Sequence, residues 1–139
     1  MSILLDTSFL FALREKKDKN HLRASELFKE LDGLDKNSLI TNIFIVGETY
    51  TLMNSRTHNN KAAIENLDSL FWGEKNFFTI KYFSQEEIIQ ISSILNKYST
   101  SKRILSFADA SIIFLNTILK CKGVISFDIH FDGILGRLY

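Results

Sequence analysis

The sequence predicts an α/β fold with a central, mainly parallel sheet, and three observations support that prediction. Short apolar or β-branched runs typical of buried strands alternate with longer segments in which apolar residues recur at helical spacing. No internal repeat, low-complexity tract or linker interrupts this alternation. The 139 residues are the length of one ordinary domain, so we expect a single domain over residues 1–139.

Four segments are predicted to be strands. They are Ser2 to Leu5, Leu39 to Thr41, the aromatic and β-branched run Phe77 to Phe83, and Gly123 to Phe127, which is the last clear strand. Strands joined by helices favour parallel pairing with right-handed crossovers. The carboxyl ends of these strands should therefore share one edge of the sheet, where open α/β sheets bind their ligands.

Three helices are predicted in the first half of the chain. Residues 20–34 place four leucines at helical spacing, with Gly33 near the end as a stop signal. Asn42 is the expected N-cap of a helix that contains Glu48. A third helix is expected from about Asn60 to Phe71.

Two helices are predicted in the second half. Ser84 to Glu87 has the sequence of a capping box and should open a helix. Phe107 to Lys120 is apolar on most sides, which indicates a buried helix, ended by Gly123.

Four carboxylates stand alone in apolar sequence, each as the only charge within a run or as the charge that ends it. They are Asp6, Glu48, Asp109 and Asp128. Because runs this apolar should be largely buried, an unpaired carboxylate in one costs several kcal/mol. No Lys or Arg lies within these runs, so either each acid finds a separate partner or all four converge around a cation.

The predicted topology favours convergence. Asp6 closes the first strand and Asp128 the last, so both should point into the crevice beyond the strand ends. Asp109 lies near the start of a helix, where the helix dipole favours negative charge. Glu48 requires its helix to pack beside that crevice. Two carboxylates about 4 Å apart repel by about 4 kcal/mol at an effective dielectric constant near 20, so converging acids raise their pKa values or bind a divalent cation.

The ligand types restrict which cation that would be. All-oxygen ligands, with no nearby cysteine or histidine pair, select Mg²⁺ or Mn²⁺ over zinc. An ion so held activates water and stabilises charge on a phosphoryl oxygen, which is the chemistry of metal-dependent nucleases.

Overall composition restricts the setting of the protein. The net charge of +1 gives no general attraction to nucleic acid or membranes, so any electrostatic targeting must come from the distribution of charge. Cys121 is the only cysteine, which predicts a reducing, cytoplasmic location without disulfides. Asp6 interrupts the first apolar run and no basic region precedes it, so we expect no signal peptide. No apolar run reaches the length of a membrane helix.

Other polar residues have local interpretations. Asp132 lies one turn beyond Asp128 and is interpreted as a solvated loop acid, although approach to a metal stays open. His21 and His130 are assigned packing or hydrogen-bonding roles, because no His-x-x-x-His spacing exists. Cys121, between two lysines, is expected to be inert.

Two groups of basic residues leave two interpretations open, contact with a phosphate backbone and a solvated face. Lys102 and Arg103 precede the helix that contains Asp109. The other group follows the Asp6 run and consists of Arg14, Lys16, Lys17 and Lys19.

Five motifs in order resemble a known family. LLDTSFLFAL, DKNH-x-x-A (Asp18 to Ala24), NIFIVGETYTL, SFADASII and GVISFDIHF together resemble a PIN domain, and within that family the VapC-type ribonuclease toxins of toxin–antitoxin pairs. The resemblance extends over essentially the whole chain. It implies a PIN-like three-layer α/β/α fold with a central, mainly parallel sheet.

The resemblance also implies an activity. In that family the acids coordinate Mg²⁺ or Mn²⁺ and cleave RNA; the matching positions are Asp6, Glu48, Asp109 and Asp128, and all four are filled. Thr7 and Ser126 match hydroxyl positions beside the metal. The expected partners are an RNA substrate, a small antitoxin that covers the active site, and a second copy in a homodimer.

Two alternatives to a toxin stay open. One is a housekeeping PIN nuclease in RNA processing. The other belongs to a different class, a non-catalytic RNA-binding or protein-interaction module on the same fold.

Overall fold

A five-stranded, fully parallel sheet forms the centre of the molecule in the computed structural model, which describes residues 1–138 apart from the Lys36 side chain. The strands are β1 (Ile3–Leu5), β2 (Leu39–Asn42), β3 (Thr79–Lys81), β4 (Gly123–Ile125) and β5 (Arg137–Leu138). Their order across the sheet is β3-β2-β1-β4-β5. The expected parallel sheet is confirmed.

Six helices connect and cover these strands. They are α1 (Thr7–Arg14), α2 (His21–Leu31), α3 (Ile43–Arg56), α4 (Lys61–Trp72), α5 (Gln85–Tyr98) and α6 (Phe107–Leu119). The chain moves one way across the sheet from β1 to β3 and then back past β1 to β4. Right-handed crossovers therefore place α1 to α4 on one face and α5 and α6 on the other, which confirms the three-layer α/β/α architecture.

Local signals predicted several helix starts correctly. Asn42 caps α3, and Ser84 with Glu87 forms the expected capping box at α5. The helix predicted over residues 20–34 ends at Leu31, followed by Gly33 with φ +95. That φ lies in the left-handed region that glycine adopts without strain.

Three predictions about elements were incomplete or wrong. No helix was predicted at Thr7–Arg14, because TSFLFAL is apolar almost all round and has no periodic polar face; six of the eight residues of α1 are buried. The strand at Phe77 to Phe83 is reduced to Thr79–Lys81 at the edge of the sheet. Gly123 to Phe127 is not the last strand, because two-residue β5 follows it, so Asp128 comes after the fourth strand.

The core fixes the relative position of β1 and β4, which lie side by side in the centre of the sheet. Leu4, Leu5 and Val124 are fully buried between the two helical layers. Burying a leucine side chain contributes about 1.5–3 kcal/mol, so the central strands are firmly held. Their register pairs Leu5 with Ile125, which sets the positions of the polar residues that follow.

Candidate metal centre

Asp6 and Ser126 meet because the strands before them are adjacent and in register. Leu5 pairs with Ile125, and the backbone N–H of Asp6 donates to the Ile125 carbonyl at 3.2 Å. The next residue on each strand therefore reaches the same edge of the sheet. There the buried hydroxyl of Ser126 donates to Asp6 Oδ2 at 2.7 Å.

A second hydroxyl, that of Ser8, extends this contact into a hydrogen-bonded chain. Ser8 Oγ accepts from the Phe127 N–H at 2.9 Å and lies 3.1 Å from Ser126 Oγ. Ser8 Oγ also donates to Asp6 Oδ2 at 3.4 Å, and Ser126 Oγ accepts from the Asp128 N–H at 3.0 Å. The two serines hold the residues after β4 against Asp6. The sequence analysis missed Ser8; its signal was a hydroxyl two residues after Asp6.

The environment of Asp6 disfavours a bare negative charge. Burial raises the pKa of Asp6 to about 7; the hydrogen bond from Ser126 opposes that rise, and the charges of Asp109 and Glu48 add to it. Asp6 Oδ1 is buried and has no hydrogen-bond partner within residues 1–138. The hydroxyl oxygen of Thr7 is likewise buried without a hydrogen-bond partner within residues 1–138. A cation would satisfy such oxygens, as would protonation of the carboxyl group.

Asp109 is held at the start of α6 by a capping box. Its backbone N–H donates to Ser106 Oγ at 3.0 Å, and its Oδ2 accepts from the Ser106 N–H at 2.9 Å. The prediction that Asp109 lies near a helix start is confirmed. Its other oxygen, Oδ1, accepts no hydrogen bond from any described residue.

Glu48 is positioned by α3, whose start is fixed by Asn42. Asn42 Oδ1 accepts from the N–H groups of Phe44 and Ile45 at 2.9 and 3.2 Å. Its Nδ2 donates to Ser111 Oγ at 3.0 Å, which ties α3 to α6. Glu48 is half-buried on α3, and its charge adds to the rise in the pKa of Asp6.

His130 connects the two remaining acids. Its Nδ1 lies 3.2 Å from Asp128 Oδ2 and 3.3 Å from Asp109 Oδ2, while its backbone N–H donates to Asp128 Oδ1 at 2.9 Å. The hydrogen-bonding role predicted for His130 is therefore observed. One ligand atom from each of these three residues lies within 4.8 Å of the others, so His130 also adds a nitrogen to a group able to hold a metal ion.

Hydrogen bonds link three of the four predicted acids, while Glu48 is related to them only through the effect of its charge on Asp6. Asp109 and Asp128 meet at His130, while Asp6 reaches the Asp128 backbone through Ser126 and is affected by the charges on α3 and α6. The donor set is mainly carboxylate oxygen, and it includes a buried oxygen without a partner. These residues fit a divalent cation.

Asp132 lies outside this group. Its carboxylate accepts from Arg137 Nε at 2.8 Å and Nη2 at 3.4 Å, and that pairing lowers the pKa of Asp132. Arg137 Nη1 also donates to the Ser126 carbonyl at 3.3 Å. Asp132 is therefore an exposed loop acid, as predicted, and the sequence analysis missed that its partner supports the strand end beside Asp6.

The other residues singled out from the sequence have local roles or lie elsewhere. His21 Nδ1 lies 2.7 Å from the Ala12 carbonyl oxygen, which is a hydrogen-bonding contact. Burial raises the pKa of the Cys121 thiol, which disfavours the reactive thiolate. The basic group that contains Arg14 begins at the last residue of α1, and the eight residues of that helix extend about 12 Å away from Asp6. Arg14 there donates to Asn66 Oδ1 at 2.9 Å.

Comparison with known proteins identifies the family. The chain matches the family model of the PIN domain over residues 3–134, and it therefore belongs to the PIN domain family. Comparison with curated proteins gave no match. In the part of the chain that the structure describes, no helix is long and apolar enough to cross a membrane.

Two solved structures share the fold. VapC20 of Mycobacterium tuberculosis, described as a toxin that cleaves the sarcin–ricin loop, superimposes with a TM-score of 0.77 at 23% identity, over 94% of this chain and 92% of that chain. PAE2754 from Pyrobaculum aerophilum has a TM-score of 0.64 at 14% identity, over 96% of this chain and 86% of that chain. At these identities the likeness concerns the fold.

Proposed function

We propose that this protein is a metal-dependent endoribonuclease and the toxin of a toxin–antitoxin pair. The observation that supports this most directly is Oδ1 of Asp6, which is buried without a hydrogen-bond partner in residues 1–138, on a carboxyl group whose pKa is raised by burial and by the charges of Asp109 and Glu48. Membership of the PIN domain family adds independent support for a nuclease. The fold shared with VapC20, itself described as a toxin that cleaves the sarcin–ricin loop, supports the narrower assignment.

In this proposal four carboxylates hold the metal: Asp6, Glu48, Asp109 and Asp128. When bound, Mg²⁺ or Mn²⁺ supplies an activated water and stabilises charge on the phosphoryl oxygen of the scissile bond. The protein fixes the ligands beforehand, because Ser126 holds Asp6 and the capping box holds Asp109.

Hydroxyl groups and His130 complete the site. Ser126 and Ser8 orient Asp6, and Thr7 Oγ1 offers a further buried oxygen beside it. His130 orients Asp109 and Asp128 toward one point. Mutating outer residues of this kind typically lowers metal affinity 10–100-fold.

The proposed setting is cytoplasmic, with an RNA substrate, a homodimer and a small antitoxin as partners. Inhibition by the antitoxin has a direct physical route, since an Arg or Lys placed among the carboxylates would compete with the metal for the same negative charge. Co-expression with a small protein encoded next to this gene, followed by pull-down, tests that partner. A neighbour that neither binds nor inhibits would favour the housekeeping nuclease.

The deciding experiment is RNA cleavage by the purified protein. A panel of tRNA, rRNA and mRNA is incubated with Mn²⁺, with Mg²⁺ and with EDTA, and cut ends are mapped. We expect defined cuts with a divalent ion and none with EDTA. Intact RNA under every condition, from a folded protein that binds Mn²⁺, would contradict nuclease activity and favour a non-catalytic binding module.

A further inference from the structure

A cleft of about 410 Å³ lies between the end of α5, the loop before α6 and the segment after Asp132, with a volume in the range of clefts that bind small ligands. Its lining residues are Lys97, Tyr98, Thr100, Lys102, Arg103 and Ile134. Three of the six are cationic and none is acidic. We propose that this cationic cleft binds the phosphate backbone of single-stranded RNA beside the scissile bond, a proposal that rests on the proposed nuclease function.

Two segments that line the cleft, the loop before α6 and the segment after Asp132, are close in sequence to acids of the proposed metal site. Arg103 precedes Ser106, the N-cap that holds Asp109, by three residues, which span roughly 10 Å at most. On the opposite wall, Arg103 Nη2 lies 4.0 Å from the position that a Cβ on Gly133 would occupy. Gly133 is five residues after Asp128. An RNA strand with a phosphate at the carboxylates would therefore have this cleft within reach.

The charges around the cleft are not balanced by protein groups. Asp132 is close enough to Arg103 for their charges to interact, but its oxygens already accept from Arg137. One carboxylate is therefore shared between two guanidinium groups, of which Arg137 holds it by direct hydrogen bonds. Within residues 1–138, neither Lys97 nor Lys102 forms an ion pair. A phosphodiester supplies the missing negative charge.

The loop that presents these cations is fixed by hydrogen bonds. The Thr100 N–H donates to the Arg103 carbonyl at 2.9 Å, and the Arg103 N–H donates to Thr100 Oγ1 at 3.0 Å. The Leu105 N–H donates to Ser99 Oγ at 3.0 Å. A backbone already in place reduces the entropy lost when a ligand binds.

The aromatic ring in the cleft favours a single strand over a duplex. Tyr98 is half-buried at the end of α5, with Lys97 Nζ 5.1 Å from its ring centroid. Cations that follow a backbone, next to an aromatic ring on which a base stacks, are typical of proteins that bind single-stranded nucleic acid. An apolar partner would not use three cations, so the chemistry of the cleft points to a polyanion with exposed bases.

The test compares two double variants that lose the same charge. Lys102→Gln with Arg103→Gln removes two cations from the cleft. Lys29→Gln with Lys75→Gln removes two exposed lysines beside the Phe28–Phe77 contact, near the start of β3 and so at the opposite edge of the sheet. Both are assayed by fluorescence anisotropy with a labelled single-stranded RNA in EDTA, which prevents metal-dependent cleavage, at about 50 to 200 mM salt.

The cleft variant should bind RNA at least tenfold more weakly, and the slope of log affinity against log salt should fall by about 1.4, which is two phosphate contacts at about 0.7 each. The matched control should bind as the wild type does. Arg103→Lys keeps the charge and should retain the salt slope. If Arg103→Lys weakens RNA binding as much as the double glutamine variant does, and its melting temperature is unchanged, the proposed contact between Arg103 and phosphate is wrong.

The outcomes separate this proposal from the nuclease proposal. If the cleft variant and the control bind RNA with the same slope, the cleft is excluded, whether or not the wild type cuts RNA. If RNA stays intact with Mn²⁺ but binding still depends on the cleft, the nuclease proposal fails and the cleft stands as a binding site. If the wild type shows no salt-dependent RNA binding, the cleft proposal is overturned.

Discussion

Ser126 Oγ lies 2.7 Å from Asp6 Oδ2, although 120 residues separate the two in sequence. This bond satisfies one oxygen of a carboxylate whose other oxygen is buried without a partner in the described chain. It also joins the end of β1 to the loop that contains Asp128. The sheet register makes this contact possible, and the contact in turn fixes Asp6 at the proposed metal site.

Replacing Asp6 should abolish activity and spare the fold. Asp6→Asn keeps the shape of the side chain and removes the charge, so RNA cleavage should fall by orders of magnitude. Asp132→Asn is the matched control, because that acid is exposed and paired with Arg137, and it should cut RNA at close to the wild-type rate. Initial rates with Mn²⁺ measure both. A fully active Asp6→Asn protein would exclude the assigned mechanism.

The metal-free protein should lose stability as pH rises. The pKa of Asp6 is about 7 in the fold against 3.8 ordinarily, so between those values the unfolded chain has released a proton that the folded chain retains. Below about pH 4 the ionisation of Asp6 does not change the free energy of unfolding. Above about pH 7 it lowers that free energy by at most about 4 kcal/mol.

Urea unfolding in EDTA at about pH 5 and pH 8 measures this dependence on either side of the Asp6 transition. In Asp6→Asn the free energy of unfolding should decrease less with pH, because the contribution of Asp6 is missing. In Asp132→Asn it should decrease as much as in the wild type. An Asp6→Asn protein with an unaltered pH dependence would mean that Asp6 is ionised throughout this range.

Divalent ions should raise the melting temperature. An ion bound only by the folded state stabilises it by about 2.7 kcal/mol at a hundredfold excess over its dissociation constant. Melting is followed with Mg²⁺, with Mn²⁺ and with EDTA, and Asp6→Asn should respond less than the wild type. Equal melting temperatures in all three solutions at millimolar ion would be strong evidence against a preformed site.

Ser126 should control metal affinity from outside the ligand set. Ser126→Ala removes the donor to Asp6 and the acceptor for the Asp128 N–H, so Mn²⁺ affinity should fall about 10–100-fold. Ser93→Ala is the control, since that exposed hydroxyl bonds only the Ile89 carbonyl within α5. Calorimetric titration with Mn²⁺ measures both. Equal affinities for the two variants would show that Ser126 merely packs.

The sequence by itself determined what depends on neighbouring residues. Asn42 and the Ser84–Glu87 capping box satisfy backbone N–H groups within three residues of themselves, so their side-chain types alone predict helix starts. Apolar runs alternating with periodic segments predicted the parallel sheet. The isolation of four acids in such runs predicted buried carboxylates; Asp6 and Asp109 are buried, whereas Glu48 and Asp128 are half-buried.

Only the tertiary structure decided what depends on register and packing. The Asp6–Ser126 bond requires Leu5 to pair with Ile125, and a slip of one residue would turn both side chains to other faces. His130 contacts both Asp109 and Asp128, and so links the start of α6 to the segment that follows β4. These contacts connect residues far apart in sequence, and their energies depend on distances that local propensity does not fix.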